Sequence, residues 1–293
     1  MGVWQGRLLR DRIQAFHARW RRAACGKGER GKTLRSACAV YADQALRRLP
    51  EAFRQELDGL AEGAEIGVED LLVTELLVDA LRFHDEPLRF QGHLATTAGP
   101  RALVAPTGPD AALLADQLLL VERRPVGGVT TVFVAWPGSL GGLAGASASG
   151  LGFLAVPLPA PTANQSLAEA PFSLLARRAL ERATDVEDLV ERLGGATAWR
   201  VLCLDGPRDR RMLGLAQVAA VVTADLSAVE TFVLPPEAGI GEVILPAKPP
   251  APAVFDAMLR DASPAAWWLR WQDDAWRVGT RRGQARLAVP AAP

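Results

Sequence analysis

The first 80 residues repeat apolar positions at helical spacing. Along the first helix, over 3–24, four apolar residues recur at i, i+4, i+7 and i+11: Leu9, Ile13, Phe16 and Trp20. Arginines occupy much of the remaining surface, so one stripe is expected to pack while the rest faces water. The same spacing predicts three further helices, over 33–49, 51–63 and 68–81.

Beyond Pro87 the pattern changes to short β-type runs bounded by Gly and Pro. The strands of the first group are predicted over 92–98, 101–105, 129–136, 141–147 and 151–157. Residues 111–120 could be helical by themselves, and a strand over 117–123 is favoured by the family resemblance described below. Those of the second group are predicted over 199–204, 211–225 and 229–235, followed by a hairpin over 265–282 with Asp273 and Asp274 at its turn. Between the groups, one helix is predicted to begin at Pro171 and another to span 185–193. These patterns indicate an α+β protein with mostly antiparallel strands.

Two carboxylates lie four residues apart on the fourth predicted helix, at Glu75 and Asp79. Residues at this spacing share one helix face, so the pair could serve acid–base or metal chemistry. A pair of this kind also occurs where the solvent edge of a core helix meets water, and we expect that role here.

Charge is balanced over the whole chain but not along it. Residues 1–50 hold 12 of the 33 Lys and Arg residues and 3 of the 33 Asp and Glu residues. Such an arm can dock on the acidic remainder of its own chain, which we expect, or contact a polyanion or a membrane surface. We therefore divide the chain into a basic helical arm, 1–49, and a main domain, 50–293.

Composition argues against several classes of protein. The 3 cysteines are too few for a disulfide framework, and with 3 scattered histidines they do not form a zinc motif. No phosphate-binding or dinucleotide-binding fingerprint occurs, so neither a metal nor another cofactor is predicted. The chain has no apolar run long enough to span a membrane and no signal-peptide core, which favours a cytoplasmic location. Heavy use of Ala, Arg, Leu and Pro is typical of a GC-rich bacterial genome.

Four short sequence motifs follow one another along the chain. They are ELDGLAEGAE over 56–65, Asp70-Leu71-Leu72, GLAGASASGLG over 142–152, and a helix with Arg177, Leu180 and Glu181 after Pro171. In this order they resemble the acyl-coenzyme A:6-aminopenicillanic acid acyltransferase family of N-terminal-nucleophile hydrolases. The resemblance implies a four-layer αββα sandwich with the helical arm added at its N-terminus. It also implies a cleft that takes a small-molecule or peptide ligand.

The sequence departs from the family at the positions of the family's catalytic residues. Members cleave themselves before a cysteine that follows a glycine, and the freed α-amine then acts as the base. Here Gly92 is followed by His93, so the position of the nucleophile holds an imidazole. Of the supporting Arg-Asn-x-Asp element only Asp110 remains, and a later Met-Asn pair is replaced by Ala146-Ser147. The resemblance therefore suggests a catalytically degenerate protein that is kept for binding or assembly.

Two alternatives stay open. In the first, the chain is an active amidase or acyltransferase that is cleaved before Thr96, with Thr96 as nucleophile and Asp110 as the orienting carboxylate. Threonine is also common in strands, so Thr96 could have a structural role alone. In the second, the basic arm binds a polyanion, although nucleic acid is not the favoured partner. The sequence also leaves open whether two copies of the chain associate.

Overall fold

The protein combines helices with two antiparallel sheets, as the α+β prediction requires. The computed structural model describes residues 2–25, 29–76, 89–95, 101–107, 117–157, 171–193, 199–208, 210–217, 220–225, 231–234, 266–280 and 282–289. Its helices are α1 (Gly2–Cys25), α2 (Glu29–Arg48), α3 (Glu51–Ala64), α4 (Val68–Glu75), α5 (Phe172–Arg182) and α6 (Val186–Leu193).

The strands form one sheet of six and one of seven. They are β1 (Arg89–Ala95), β2 (Arg101–Thr107), β3 (Leu119–Arg123), β4 (Thr131–Ala135), β5 (Ala144–Ser147), β6 (Leu151–Pro157), β7 (Trp199–Asp205), β8 (Arg210–Gln217), β9 (Ala220–Asp225), β10 (Thr231–Leu234), β11 (Trp267–Gln272), β12 (Ala275–Thr280) and β13 (Gly283–Ala288). The six-stranded sheet has the order β10-β1-β2-β11-β12-β13, whereas the seven-stranded sheet follows the chain from β3 to β9.

The strand predicted over 211–225 is two strands. β8 and β9 pair antiparallel, with Gln217 opposite Ala220. The prediction missed this reversal because the sequence Gln-Val-Ala-Ala at 217–220 contains none of the residues that usually mark a turn. A further strand, β13, extends the C-terminal hairpin and was not predicted either.

The two sheets pack face to face. A Cβ atom added at Gly152 of β6 would lie 2.8 Å from the Leu269 side chain of β11 and 3.2 Å from the Trp276 ring of β12, so the glycine permits this close approach. The neighbouring residue Phe153 points to the other face, where its ring centroid lies 6.4 Å from that of Phe172 on α5. Helices α5 and α6 therefore cover the outer face of the seven-stranded sheet. A fourth layer, over the six-stranded sheet, stays a prediction.

The tryptophan-rich hairpin closes over the core, as the sequence predicted. Trp267 and Trp276 are buried, and the rings of Trp271 and Trp276 meet edge to face with centroids 5.2 Å apart. Asp273 and Asp274 form the turn with φ angles of +53° and +50°. Two consecutive positive φ angles match the twist of a two-residue hairpin, and aspartate tolerates this conformation better than most residues.

Helix α1 docks on α3 through a seam of glycines. A Cβ atom added at Gly6 would lie 2.4 Å from the carbonyl oxygen of Leu60, and one added at Gly63 would lie 2.2 Å from that of Val3. Only hydrogen side chains allow the two backbones to come this close. At the end of the seam, a guanidinium nitrogen of Arg10 lies 2.8 Å from a Glu65 carboxylate oxygen. This contact agrees with the expectation that the arm docks on its own chain, while the domain boundary at residue 49 stays a prediction.

The N-terminal helices share a hydrophobic cluster with the sandwich. Ile13 of α1, Leu57 of α3 and Leu71 of α4 pack in one buried group with Leu140 and Leu174. Leu140 lies in the connection between β4 and β5, and Leu174 lies in the first turn of α5. The N-terminal helices are therefore tied to one connection and to one helix of the sandwich.

Candidate functional site

His93, which the family resemblance predicts at the nucleophile position, lies in the middle of β1. Its Cα is paired with Leu103 of β2 on one side and with Val233 of β10 on the other. The ladder with β2 runs without a break from Arg89 to Ala95. The Gly92–His93 peptide is thus part of an interior strand. The other two predicted site residues, Thr96 and Asp110, lie outside the described residues. Their roles as nucleophile and orienting carboxylate stay predictions.

Ala146 and Ser147, which the family resemblance aligns with a Met-Asn pair, lie in a tight hairpin. Ala146 of β5 pairs with Val132 of β4 and with Gly152 of β6, and it is fully buried. The Ser147 hydroxyl lies 2.6 Å from the Ser149 hydroxyl and donates to the Leu151 carbonyl oxygen at 3.3 Å. Ser147 thus supports its own turn, and neither residue supplies the side-chain amide that could stabilise an oxyanion.

Glu75 ends α4 in a buried polar cluster, not at the solvent edge that we expected. Its side chain is 1% exposed, and the hydroxyls of Ser139 and Ser173 donate to one carboxylate oxygen at 3.1 and 2.5 Å. The backbone N–H of Leu140 donates to the other oxygen. The expectation was wrong because the β4–β5 connection and the first turn of α5 close over the carboxylate. Asp79, its predicted partner, lies outside the described residues.

Burial sets the protonation of Glu75. Desolvation raises its pKa from 4.5 to about 7, although hydrogen bonds from Ser173, Leu140 and Ser139 and the positive charge of Arg177 act in the opposite direction. A carboxyl group with such a pKa could act as an acid or a base near neutral pH. Here it is sealed from solvent by the groups that bind it. We therefore assign Glu75 to holding the β4–β5 connection instead of to catalysis.

A second cluster joins four charged side chains from three elements, of which Arg177 is buried and the other three are half-buried. Arg123 Nη2 donates to one carboxylate oxygen of Glu56 on α3 at 2.7 Å, and Arg123 Nη1 lies 2.6 Å from the other carboxylate oxygen as an ion pair. Arg177 of α5 contacts Glu56 at 2.9 Å and Glu181 at 2.9 Å. Burial alone would raise the pKa of Glu56, but the charges and hydrogen bonds of Arg177 and Arg123 outweigh it and lower the pKa. Two positive and two negative charges compensate each other in this cluster.

Arg177 connects the charged cluster to the Glu75 cluster. Its Nη1 donates to the Leu140 carbonyl oxygen at 3.0 Å, and its guanidinium carbon lies 4.6 Å from the centre of the Phe53 ring. Leu140 thus donates its N–H to Glu75 and accepts a hydrogen bond from Arg177 at its carbonyl. The family phrases already contained Glu56, Arg177 and Glu181. Sequence reasoning treated them as landmarks and did not predict that they meet.

His17 links α1 to α4. Its Nδ1 lies 2.8 Å from the Thr74 hydroxyl, and its Nε2 lies 3.7 Å from an Asp70 carboxylate oxygen. Burial lowers the pKa of His17; the negative charge of Asp70 opposes this effect and the positive charge of Arg21 adds to it. The residue types are those of a Thr-His-Asp triad, but Thr74 is buried and its hydroxyl donates to the Asp70 carbonyl. This arrangement presents no nucleophile to a substrate.

The remaining nucleophiles and ligand types give no further site. Cys38 and Cys203 are buried, as predicted, and burial raises the pKa of the Cys203 thiol well above its usual value. Within the described ranges, His, Cys, Asp and Glu side chains form no group of three or more that could hold a metal ion. In the same ranges, no helix has the length and apolar character needed to cross a membrane.

Comparison with known proteins yields distant structural likenesses. No protein-family model and no curated protein matches the chain. The N-acylethanolamine-hydrolyzing acid amidase ortholog of Caenorhabditis elegans is 11% identical with a TM-score of 0.44, and the match covers 52% of this chain and 72% of that one. Two variants of the conjugated bile acid hydrolase of Clostridium perfringens are 10% and 9% identical with TM-scores of 0.37 and 0.38, covering 68% of this chain and 92% of theirs. At TM-scores below 0.5 these likenesses carry no argument about activity.

Proposed function

We propose that this chain has the fold of an N-terminal-nucleophile hydrolase, has lost self-processing and amide chemistry, and is kept for binding or assembly. The observation that carries the proposal is the position of His93 in the middle of β1, where residues on both sides of it pair with β2. A processed nucleophile would begin its chain at residue 93, with a free α-amine. Here β1 extends back to Arg89, and the residues before position 93 pair with β2 in the same ladder.

The chemistry of self-processing supports this view. A hydroxyl or thiol attacks the carbonyl before it, and the peptide C–N bond breaks to free the α-amine as an ester or thioester forms. Water then hydrolyses that ester, which releases the preceding segment as a carboxylate and restores the hydroxyl or thiol. The imidazole of His93 has neither a hydroxyl nor a thiol for this step. Of the three cysteines, Cys25 ends α1, whereas Cys38 and Cys203 lie in α2 and β7 and are buried.

The positions that match the family phrases fall into two groups, one that builds the fold and one that would carry the chemistry. Glu56, Arg177 and Glu181 match the family phrases and form a partly buried ion cluster, so they serve the packing of α3 and α5. His93 and Ser147 occupy positions where the family has its reactive cysteine and an amide. Keeping residues that build the fold while changing those that react is consistent with a binding protein, since binding does not require the geometry of a nucleophile.

The intact mass of the purified protein under denaturing conditions tests the loss of self-processing. We expect one species at the full-length mass of 31.3 kDa. Two fragments divided near residue 92 or 95 would overturn the proposal. A Thr96→Ala variant serves as the matched control: fragments that end near residue 95 in the parent chain and disappear in this variant would establish the Thr96 amidase or acyltransferase alternative instead.

A further inference from the structure

Helix α1 has an exposed face opposite the one that packs on α3. We define the outer face of α1 by the exposed residues that recur along one side of the helix: Trp4, Leu8, Asp11, Ala15, Ala18 and Arg22. Trp4 is 75% and Leu8 is 72% exposed, and they lie one turn apart. A large aromatic and a large aliphatic side chain placed together in water mark a surface that another body covers.

The same helix is strongly basic. Helix α1 contains six arginines and a single acidic residue, Asp11. Arg7 lies beside Trp4 and Leu8, and Arg21 and Arg22 are exposed at the far end. From Trp4 to Arg22 the face is roughly 27 Å long at the rise of an α-helix. The outer face therefore offers an apolar end and a basic end along one straight element.

The fold prevents α1 from turning these side chains inward. The glycine seam fixes the contact with α3, and Ile13, Phe16 and Trp20 are buried on the opposite side of the helix. Rotating α1 to bury Trp4 would expose these three residues and separate the glycines. The outer face is thus presented to solvent by packing.

We propose that the outer face of α1 docks on an anionic lipid surface. The helix would lie in the plane of the membrane, with Trp4 and Leu8 at the headgroup boundary and Arg7, Arg21 and Arg22 against anionic headgroups. A membrane interface suits both halves of this face, because tryptophan prefers that depth and arginine is attracted to the negative leaflet. A nucleic acid would engage the arginines and leave Leu8 in water. The proposal is independent of the chemistry at His93, since it uses α1 alone.

Co-sedimentation of the full chain with lipid vesicles tests this proposal. One set of vesicles contains phosphatidylcholine only, and the other contains in addition about 30% phosphatidylserine to give the negative surface potential. We expect binding to the anionic vesicles alone. Exchanging both apolar residues, Trp4→Ala with Leu8→Ala, should weaken binding by at least about tenfold. Arg21→Gln and Arg22→Gln should each weaken it by about fivefold.

Two exposed residues away from α1 provide matched controls. Val126→Ala, in the β3–β4 turn, removes an apolar side chain, and Arg286→Gln, on β13, removes a charge. Both should bind vesicles like the parent chain. Every variant changes an exposed side chain, so unaltered thermal melting will show that the fold is intact.

Four results would overturn the proposal: no binding to anionic vesicles, equal binding to both kinds of vesicle, no loss of binding in the Trp4 and Leu8 variant, or an equal loss in the controls. Sedimentation without lipid adds one more test. A dimer that dissociates when Trp4 and Leu8 are replaced would assign the face to a second copy of the chain. Binding to duplex DNA in the absence of vesicle binding would assign it to nucleic acid.

Discussion

The buried carboxyl group of Glu75 should make the stability of this protein depend on pH. Its pKa is about 7 in the folded chain, against an ordinary value of 4.5. The folded state therefore holds this proton more tightly than the unfolded state does. The contribution to stability is fully present below pH 4.5 and is lost as the pH rises through 7.

The size of the effect follows from the change in pKa. At about 1.4 kcal/mol per pKa unit, the difference between 4.5 and about 7 corresponds to about 3 kcal/mol in the free energy of unfolding. Most of this, about 2 to 3 kcal/mol, should be lost between pH 5 and pH 8. The loss reflects the cost of ionising a carboxyl group that is 1% exposed.

Glu75→Gln removes the titration and keeps the shape of the side chain. The amide oxygen can still accept from the Leu140 N–H, and the amide nitrogen can donate to the hydroxyl oxygens of Ser139 and Ser173. The Ser139 hydroxyl then keeps an acceptor in the Gly141 carbonyl, at 3.1 Å. The variant should therefore fold, and its stability relative to the parent chain should increase with pH.

Urea denaturation of both proteins at pH 5, 6, 7 and 8 measures this difference, because the other titrating groups cancel in the comparison. We expect the free energy of unfolding of the variant, minus that of the parent, to rise by about 2 to 3 kcal/mol from pH 5 to pH 8. Glu62→Gln, at an exposed position of α3, is the control and should not change the pH dependence. Parallel pH profiles for parent and Glu75→Gln would refute the reasoning.

Two further predictions concern how the helices are held. Arg177→Met leaves the half-buried carboxylates of Glu56 and Glu181 with fewer partners and should lower the free energy of unfolding by about 2 to 3 kcal/mol. Arg178→Met, at the exposed neighbour, should change it little, and equal effects in urea denaturation would contradict the role of the ion cluster. Gly6→Ala places a Cβ atom 2.4 Å from a backbone oxygen of α3, so it should lower the melting temperature by several degrees. An unchanged melting temperature would mean that the glycine seam does not hold α1.

Local patterns predicted much of the secondary structure because they depend on neighbours in sequence. The helical spacing of Ile13, Phe16 and Trp20 predicted α1 and its buried stripe, and all three are buried. The start of α6 shows the limit of this reasoning. The sequence Thr184-Asp185-Val186-Glu187 predicts Thr184 as the capping residue. In the structure the Asp185 carboxylate caps the helix by accepting the Asp188 N–H at 2.8 Å, and the Asp188 carboxylate accepts the Thr184 N–H at 3.0 Å. The cap therefore lies one residue further on than the sequence predicts.

The polar cluster around Glu75 could not be predicted from the sequence, because the tertiary structure brings its members together. Glu75 has helical spacing with a second carboxylate, and from the sequence this suggested exposure. Its donors, however, come from positions 64, 65 and 98 residues away in the chain. Periodicity identifies which residues share a face of one element, but it does not tell which distant segment covers that face. Only the packing of the β4–β5 connection and α5 against α4 decides that Glu75 is buried, and burial in turn decides its protonation.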